Sequence, residues 1–502
     1  MPDQHNQQKM LGDIARETGG NLTGESSAVV TDVTHDSRQV SAGSLFAAVR
    51  GASFDAHRFI PQVLAQGAVG VISELERPAD YDGGAWLRVE SVRRALALAA
   101  AEVHRHPSRE LELVGITGTN GKTTTAYLIA ALAEAAGDLV AMIGTVEYRI
   151  GRERFKAERT TPEATDIQRL LRRAVAADCR VGVMECSSQA IAFHRCDALN
   201  LSVAVFTNLT RDHRDYHGSM TSYWDTKRRL FDGRLGSVPR TSIVNVDDPY
   251  GVELASELAA CGARVVRYAL RAEAEITARD VEVTLQGTGF HLSTPQGEGR
   301  LRSPLVGQPH IYNILATVGS GLALGYDFDT VARAIETSQG APGRFELVPH
   351  TAGDFAVVVD YAHTDDALAN VLRTARAVAG QGRIITVFGC GGDRDRTKRA
   401  PMGEAAASLS DIVILTSDNP RTENPEQIFR DIEEGLRVSD QSYEKIADRR
   451  QAIYHAIGEA RGGDIVLIAG KGHEDYQIIG QEIFHFDDKE VAREVLTARQ
   501  KG

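Results

Sequence analysis

The sequence predicts an α/β protein of three domains built largely on parallel sheets, on three observations. At 502 residues the chain exceeds what one hydrophobic core sustains, and about two to four domains are expected. Apolar strand-like runs alternate with helix-like runs through two long stretches, the pattern of right-handed crossovers. The first of those stretches opens on a strand, a glycine-rich turn and a helix in immediate succession. These observations place boundaries at 1–109, 110–341 and 342–502.

In the first segment, residues 29–33, 44–49 and 67–72 read as strands. Residues 91–104 read as a helix ending before His106-Pro107. Its polar loops, Asp36-Ser37-Arg38 and residues 51–57, read individually as loop chemistry. The second segment has strands at 111–116, 139–146, 180–185, 201–208 and 242–246, with helices at 126–133, 164–177 and 221–232. Short β-prone runs with glycine turns at 274–303 predict an antiparallel appendage, and 311–336 a return to helix. The third segment has apolar strands at 355–361, 383–389, 411–416 and 464–470, with helices such as 366–378 and 400–408. That is a second doubly wound, Rossmann-like unit.

Composition excludes several classes. Hydrophobic residues make up 42% and charged residues 25%, as in ordinary globular proteins. A net charge of −12 argues against a nucleic-acid partner, which needs a basic face. The five cysteines contain no C-x-x-C pair, which suits reduced thiols in a cytoplasm. The N-terminus lacks an apolar signal region, and no apolar run nears the ~18–20 residues of a membrane span. A cytoplasmic monomer acting on small molecules is expected.

The loop Gly118-Thr119-Asn120-Gly121-Lys122-Thr123-Thr124 marks the central segment as a phosphate-loop, ATPase-like sheet. Main-chain N–H groups and the following helix N-terminus both favour an anion, and the glycines let phosphate oxygens approach. Lys122 supplies a point charge and Thr123 a hydroxyl for Mg²⁺. Ile116 stands where the strict phosphate-loop pattern has glycine, and the bland reading is a turn with a chance lysine. Glu185 and Asn208 also close strands, so convergence of the three is expected where parallel sheets gather ligands. Beside a phosphate loop Glu185 reads as a Mg²⁺ ligand; alone it reads as a surface carboxylate. Residues 207–218 pack Asn208, Arg211, Asp212, His213 and His217 into one loop, which reads blandly as a charged turn. Lys227 sits in a helical run and by default faces solvent. In the third segment, Arg394, Arg421 and Glu474 provide opposed charges at strand ends, suited to a zwitterion whose carboxylate takes an arginine fork.

GTNGKTT, T-N-L-T-R-D-H-R-D-Y-H-G (207–218), D-Y-A-H-T (360–364) and D-N-P-R (418–421), in this order, resemble the Mur ligases of bacterial peptidoglycan synthesis over nearly the whole chain. The resemblance implies ATP-dependent addition of meso-diaminopimelate to UDP-MurNAc-L-Ala-D-Glu through an acyl phosphate, with D-N-P-R recognising the diaminopimelate. It implies an ATP site at Gly118, Thr119, Asn120, Gly121, Lys122, Thr123, Thr124, His310, Asn313, Arg344 and Asp360. One Mg²⁺ would be held by Thr123 and Glu185 and a second by Glu185 and His213, with Lys227 carbamylated by CO₂. Lys122, Glu185, His213 and Lys227 are thereby the implied catalytic set. Ser37, Ala52, Ser53, Phe54, Thr160, Thr161, Ser187 and Arg195 match positions for the UDP-MurNAc-dipeptide. Arg394, Asp418, Asn419, Pro420, Arg421, Gly470 and Glu474 match the diaminopimelate pocket. This sequence departs from the family pattern at Ala56, Gln189, Phe193, His310 and Asp365. A relative using lysine or another carboxylate stays open, as does a nucleotide-dependent switch without ligase chemistry, although a switch needs no carbamylatable lysine. Phosphate loop and amino-acid pocket fall in different segments, so closure of one on the other is expected.

Overall fold

Leu113, Val114 and Ile116 point to alternate faces of the strand Glu112–Thr117, and all three are fully buried, the mark of a parallel strand covered on both sides. A computed structural model describes residues 9–51, 54–211, 214–438 and 442–501. The expectations at Ala52, Ser53 and His213 lie outside them. Among the described residues the central sheet has eleven strands, with Glu112–Thr117 between Val181–Glu185 and Val203–Phe206. Both neighbours run parallel to it, with Glu185 opposite Ile116 and Phe206 opposite Thr117. All three strands therefore end on one edge. The helix Lys122–Ala135 leaves that edge and packs Leu128, Ile129 and Leu132 into a core shared with Gln308–Ala323.

The predicted appendage is antiparallel, in strands Ile276–Thr284, Gly287–Thr294 and Gly297–Ser303, but it extends the same sheet through parallel pairing of Tyr268 with Ile276. The helix expected over 311–336 is two helices, Gln308–Ala323 and Phe328–Thr337. Gly325, at φ 91°, ends the first, and Asp327 caps the second by accepting from Thr330 N at 2.7 Å. The hairpin Glu147–Ile150/Glu153–Lys156 was not expected, because its alternation is carried by charges such as Arg154 and Glu147, 2.7 Å apart across the strands.

The N-terminal segment forms a five-stranded sheet among the described residues, ordered 21–23, 85–88, 70–73, 44–47, 32–34. Arg169 of the helix Ala164–Ala176 fastens it to the central sheet, donating to Asp32 at 2.7 Å, and Arg172 donates to the His104 carbonyl at 2.9 Å.

The C-terminal sheet runs 346–347, 356–360, 465–469, 384–388, 412–415, 443–445, with helices on both faces. A second hairpin outside the predicted elements, Tyr476–Ile479/Glu482–His485, forms a separate two-stranded sheet and brackets Arg421. Arg421 N donates to the Ile478 carbonyl at 3.1 Å, and Gly480 N to the Arg421 carbonyl at 2.8 Å. Central and C-terminal parts meet at the phosphate loop, where Asn120 donates to Asp366 at 2.8 Å and Thr210 to the same carboxylate at 3.0 Å. Among the described residues no helix is long and apolar enough to cross a membrane.

Candidate active site

The three adjacent strand ends of the central sheet shape one wall of a cavity of about 750 Å³. Gly118 at φ 148° and Gly121 at φ 88° turn the chain there. A Cβ on Gly118 would lie 1.8 Å from Thr207 Oγ1, and one on Gly121 2.4 Å from Asn313 Oδ1, so neither position admits a side chain. Asn208 holds this turn from behind: its Oδ1 accepts from Asn120 N and its carbonyl from Thr119 N, both at 2.9 Å. Lys122 folds over the turn, with Nζ donating to the Gly118 and Thr119 carbonyls at 3.0 and 2.9 Å. Thr124 is buried against the same wall.

Thr123 and Glu185 meet directly. Thr123 Oγ1 donates to Glu185 Oε2 at 2.9 Å, while Thr145 donates to Oε1 through its N–H at 2.8 Å and to Oε2 through its hydroxyl at 3.1 Å. Glu185 is 1% exposed, so the surface reading is excluded. Among the described residues no group of three His, Cys, Asp or Glu side chains clusters as a metal cage. A buried carboxylate beside a hydroxyl at a phosphate cradle instead fits Mg²⁺, which takes a few protein oxygens and completes its shell with phosphate and water.

Lys227 is likewise 1% exposed, against the solvent-facing default. Its helix, Met220–Arg228, buries Tyr223, Trp224 and Lys227 on one face. Lys227 Nζ donates to the Gly118 carbonyl at 2.8 Å and lies 4.6 Å from the centroid of Tyr223, whose hydroxyl is 3.2 Å from Thr119 Oγ1. The Gly118 carbonyl thus receives both Lys122 and Lys227.

Across the cavity, the helix Gln308–Ala323 presents His310 and Asn313, both buried. Burial, then the Arg344 charge, lowers the His310 pKa to about 4, so its imidazole is neutral near pH 7. His310 Nδ1 has no hydrogen-bond partner among the described residues, and neither has Arg344 Nε. Neutral ring, orphaned polar nitrogens and glycine cradle together fit a nucleotide. Arg344 Nη2 is 3.5 Å from Thr123 Oγ1, tying the C-terminal part to the cradle. Asp360 also lines the cavity, but its carboxylate accepts from Phe345 N at 2.6 Å and Ala362 N at 2.7 Å, anchoring main chain.

Beside Glu185 lie the residues matched to the dipeptide end. Thr161 Oγ1 donates to the Glu185 carbonyl at 2.7 Å, and Ser187 N donates to Thr161 Oγ1 at 3.1 Å. Thr160 Oγ1 is 3.1 Å from Thr145 Oγ1, and Arg195 pairs with Glu163 at 2.7 Å. Ser37 is buried in the N-terminal sheet's loops, while Phe54 is 52% exposed under the Arg58 guanidinium at 5.5 Å.

At the C-terminal strand ends, Asp418 lies 3.2 Å from the fully buried Lys471, and Asn419 donates to Glu474 at 3.1 Å. Burial, then the Asp418 charge, pushes Glu474 up to about 6. Arg421 holds a left-handed backbone at φ 51° and donates to the Gly392 carbonyl at 2.9 Å. Arg394 is exposed nearby. Pro420 closes on Gly392, where a Cβ would lie 1.9 Å from the Pro420 carbonyl oxygen. Gly470, at φ 118°, donates its N–H to the Asp360 carbonyl at 3.0 Å, linking this pocket to the nucleotide cavity.

Thr145, Tyr223, Tyr361 and Lys471 were not among the predicted residues. Thr145 and Lys471 each follow a glycine just past a strand and Tyr361 lies in the D-Y-A-H-T motif, signals that were available; Tyr223 carries none.

Comparison with known proteins gives a consistent answer. The family descriptions "Mur ligase family, catalytic domain", "Mur ligase middle domain" and "Mur ligase, glutamate ligase domain" match residues 29–104, 116–321 and 343–472. A Solibacter usitatus protein named UDP-N-acetylmuramoyl-L-alanyl-D-glutamate--2,6-diaminopimelate ligase is 47% identical over 469 residues, 93% of either chain. One of the same name from Alkaliphilus metalliredigens is 41% identical over 481 residues, 96% of either chain. A solved structure of that name superposes with a TM-score of 0.71 at 32% identity, covering 98% of this chain and 99% of that one. The UDP-N-acetylmuramoylalanyl-D-glutamyl-2,6-diaminopimelate--D-alanyl-D-alanyl ligase structure from Acinetobacter baumannii, 20% identical with a TM-score of 0.63 over 99% of this chain and 98% of that one, shares the fold. With all three family descriptions matched in order and such identity over nearly its whole length, the chain belongs to the Mur ligase family.

Proposed function

We propose that this protein joins meso-diaminopimelate to UDP-MurNAc-L-Ala-D-Glu at the expense of ATP. The observation that carries the reading is the junction of Thr123 with the buried Glu185 at 2.9 Å, because a hydroxyl and a carboxylate beside the phosphate loop suit a metal between the nucleotide and the carboxylate that takes its phosphoryl group. Segments 1–109, 110–341 and 342–502 then bind the UDP end, the ATP and the amino acid.

The D-glutamate side-chain carboxylate is a poor electrophile. Transfer of the ATP γ-phosphoryl group turns one of its oxygens into a leaving group, and the diaminopimelate amine displaces phosphate. Loop N–H groups, the N-terminus of Lys122–Ala135 and the Lys122 ammonium stabilise charge on the transferring group. Lys122 leaves its two loop carbonyls to do so. Arg344 adds a second cation from the C-terminal side. One Mg²⁺ held by Thr123 and Glu185, and a second by Glu185 and His213, would supply further neutralisation. Lys227, as the carbamate its neutral amine would form with CO₂, would present an anion to a metal there, where an ammonium would be repelled. Arg195 orients the dipeptide carboxylate, while Arg394 and Arg421 clamp a carboxylate of diaminopimelate, with Asp418 and Glu474 receiving an ammonium.

Glu474 makes the amino-acid step pH-dependent. The folded protein holds this proton more tightly than a free glutamate at 4.5, so its contribution to stability falls as pH rises from 4.5 to about 6. The carboxylate that attracts the ammonium forms as pH rises through about 6. KM for diaminopimelate is therefore expected to fall as pH rises through about 6, and Glu474→Gln to flatten that dependence in initial-rate measurements.

The direct test supplies ATP, Mg²⁺ and UDP-MurNAc-L-Ala-D-Glu with either meso-diaminopimelate or lysine, following phosphate release and product mass. The tripeptide with diaminopimelate is expected. No product with either amino acid would reject the reading in favour of another carboxylate acceptor, and product with lysine alone would reject the role given to Arg421.

A further inference from the structure

Three chain segments meet between the nucleotide cavity and the amino-acid pocket. Gly343 and Arg344 enter the C-terminal part, Tyr361 follows the strand Ala356–Asp360, and Gly472-His473-Glu474 follow the strand Ile465–Ala469. Their backbones touch. Tyr361 N donates to the Gly343 carbonyl at 2.9 Å. A Cβ on Gly343 would lie 2.3 Å from Gly472 C and His473 N, and one on Gly472 would lie 2.6 Å from Tyr361 Cβ. Both glycines have left-handed φ, 68° and 55°, so side chains are excluded by conformation as well as by space.

The Tyr361 ring connects the two sites through this junction. The Arg344 guanidinium lies 4.6 Å from its centroid and the His473 ring 4.9 Å, tilted by 42°. Arg344 lines the nucleotide cavity and approaches Thr123; His473 precedes Glu474, which accepts from Asn419 in the other pocket. The buried atoms His473 Nδ1 and Arg344 Nε have no hydrogen-bond partner among the described residues, and both groups pack on the Tyr361 ring. The charges reach across as well. Burial, then Arg344, lowers His473 to about 4, and burial, then Glu474, raises the Tyr361 phenol.

We propose that Tyr361, acting on His473, is a positioning residue that couples nucleotide binding to amino-acid binding. A phosphate group engaging Arg344 fixes the guanidinium plane, the plane fixes the Tyr361 ring, and the ring fixes His473 and the loop that carries Glu474. The first ligand bears the cost of ordering this junction and the second finds it ordered, which gives positive cooperativity without new contacts between ligands. The inference rests on the assignment of the Arg421/Glu474 pocket to diaminopimelate.

Calorimetric titration of the full chain tests it. All titrations contain saturating Mg²⁺ and UDP-MurNAc-L-Ala-D-Glu, and ADP serves as nucleotide so that no turnover occurs. In the wild type, meso-diaminopimelate is expected to bind about tenfold more tightly with saturating ADP than without it. In Tyr361→Leu each ligand alone is expected to bind within about threefold of wild type while the ratio falls towards one. Tyr361→Phe, which keeps the ring, keeps the ratio. His473→Gln lowers it, and decides the matter should the leucine variant fail to fold. An unchanged ratio in the leucine or glutamine variant, or a wild-type ratio of one, overturns the coupling role alone. No diaminopimelate binding by the wild type with or without ADP overturns the pocket assignment and the coupling with it.

Discussion

Lys227→Ala is expected to lower kcat about a thousandfold, the scale of losing one preorganised charge at a transferring group. The effect is large because the side chain is 1% exposed and its Nζ sits on the Gly118 carbonyl of the phosphate loop. Water replaces it poorly there, and the carbonyl it serves is left short of a donor. Formate or acetate at high concentration is expected to restore part of the rate, since a small carboxylate would supply the anion that the proposed carbamate contributes. The ammonium alone cannot explain such rescue. A lysine acting as a cation would instead respond to small amines, and a variant with full activity would remove Lys227 from the mechanism. Initial rates with and without each additive separate the cases.

Arg421→Ala is expected to raise KM for meso-diaminopimelate about a hundredfold. A charge-assisted arginine–carboxylate contact is worth about 2–3 kcal/mol, and 1.4 kcal/mol is tenfold in affinity. Selectivity over lysine should collapse, because lysine has no second carboxylate for the fork to hold. The backbone at Arg421 is held at φ 51° by main-chain bonds to the hairpin Tyr476–Ile479/Glu482–His485, so the loop keeps its path when the side chain is cut. Arg421→Lys recovers only a small part of the loss, since an ammonium offers a point charge in place of two parallel donors. Steady-state rates with the two amino acids, alongside an unchanged thermal midpoint, distinguish lost recognition from lost folding.

Much of this arrangement is legible in the residues. Alternating apolar runs fix parallel strands, and parallel strands bring their ends to one edge. Glu185, Asn208 and GTNGKTT therefore had to converge, as the 2.9 Å contacts of Thr123 with Glu185 and Asn120 with Asn208 display. What escaped lies in tertiary pairing. The hairpin 147–156 alternates through charges, and in 476–485 the apolar residues Ile479, Ile483 and Phe484 stay exposed, so charge pairs or Arg421 help to hold the two. Lys227 is an ordinary helical lysine until Tyr223 and the Gly118 carbonyl close over it. The junction at Tyr361 depends on two glycines more than a hundred residues apart, Gly343 and Gly472, touching in space. Departures from the family motif also read differently in three dimensions: His310 keeps a neutral ring beside Asn313 in the nucleotide cavity, and Asp365 lies 3.9 Å from Arg211 across the junction of central and C-terminal parts.

The central claim is that the D-glutamate side-chain carboxylate is phosphorylated before the amide forms. Turnover of UDP-MurNAc-L-Ala-D-Glu carrying oxygen-18 in both oxygens of that carboxylate, with ATP, Mg²⁺ and meso-diaminopimelate, tests it most directly by mass spectrometry of the released phosphate. The account predicts phosphate containing a single oxygen-18 atom and an amide that retains the other; phosphate free of the label, formed alongside the same amide, would contradict it.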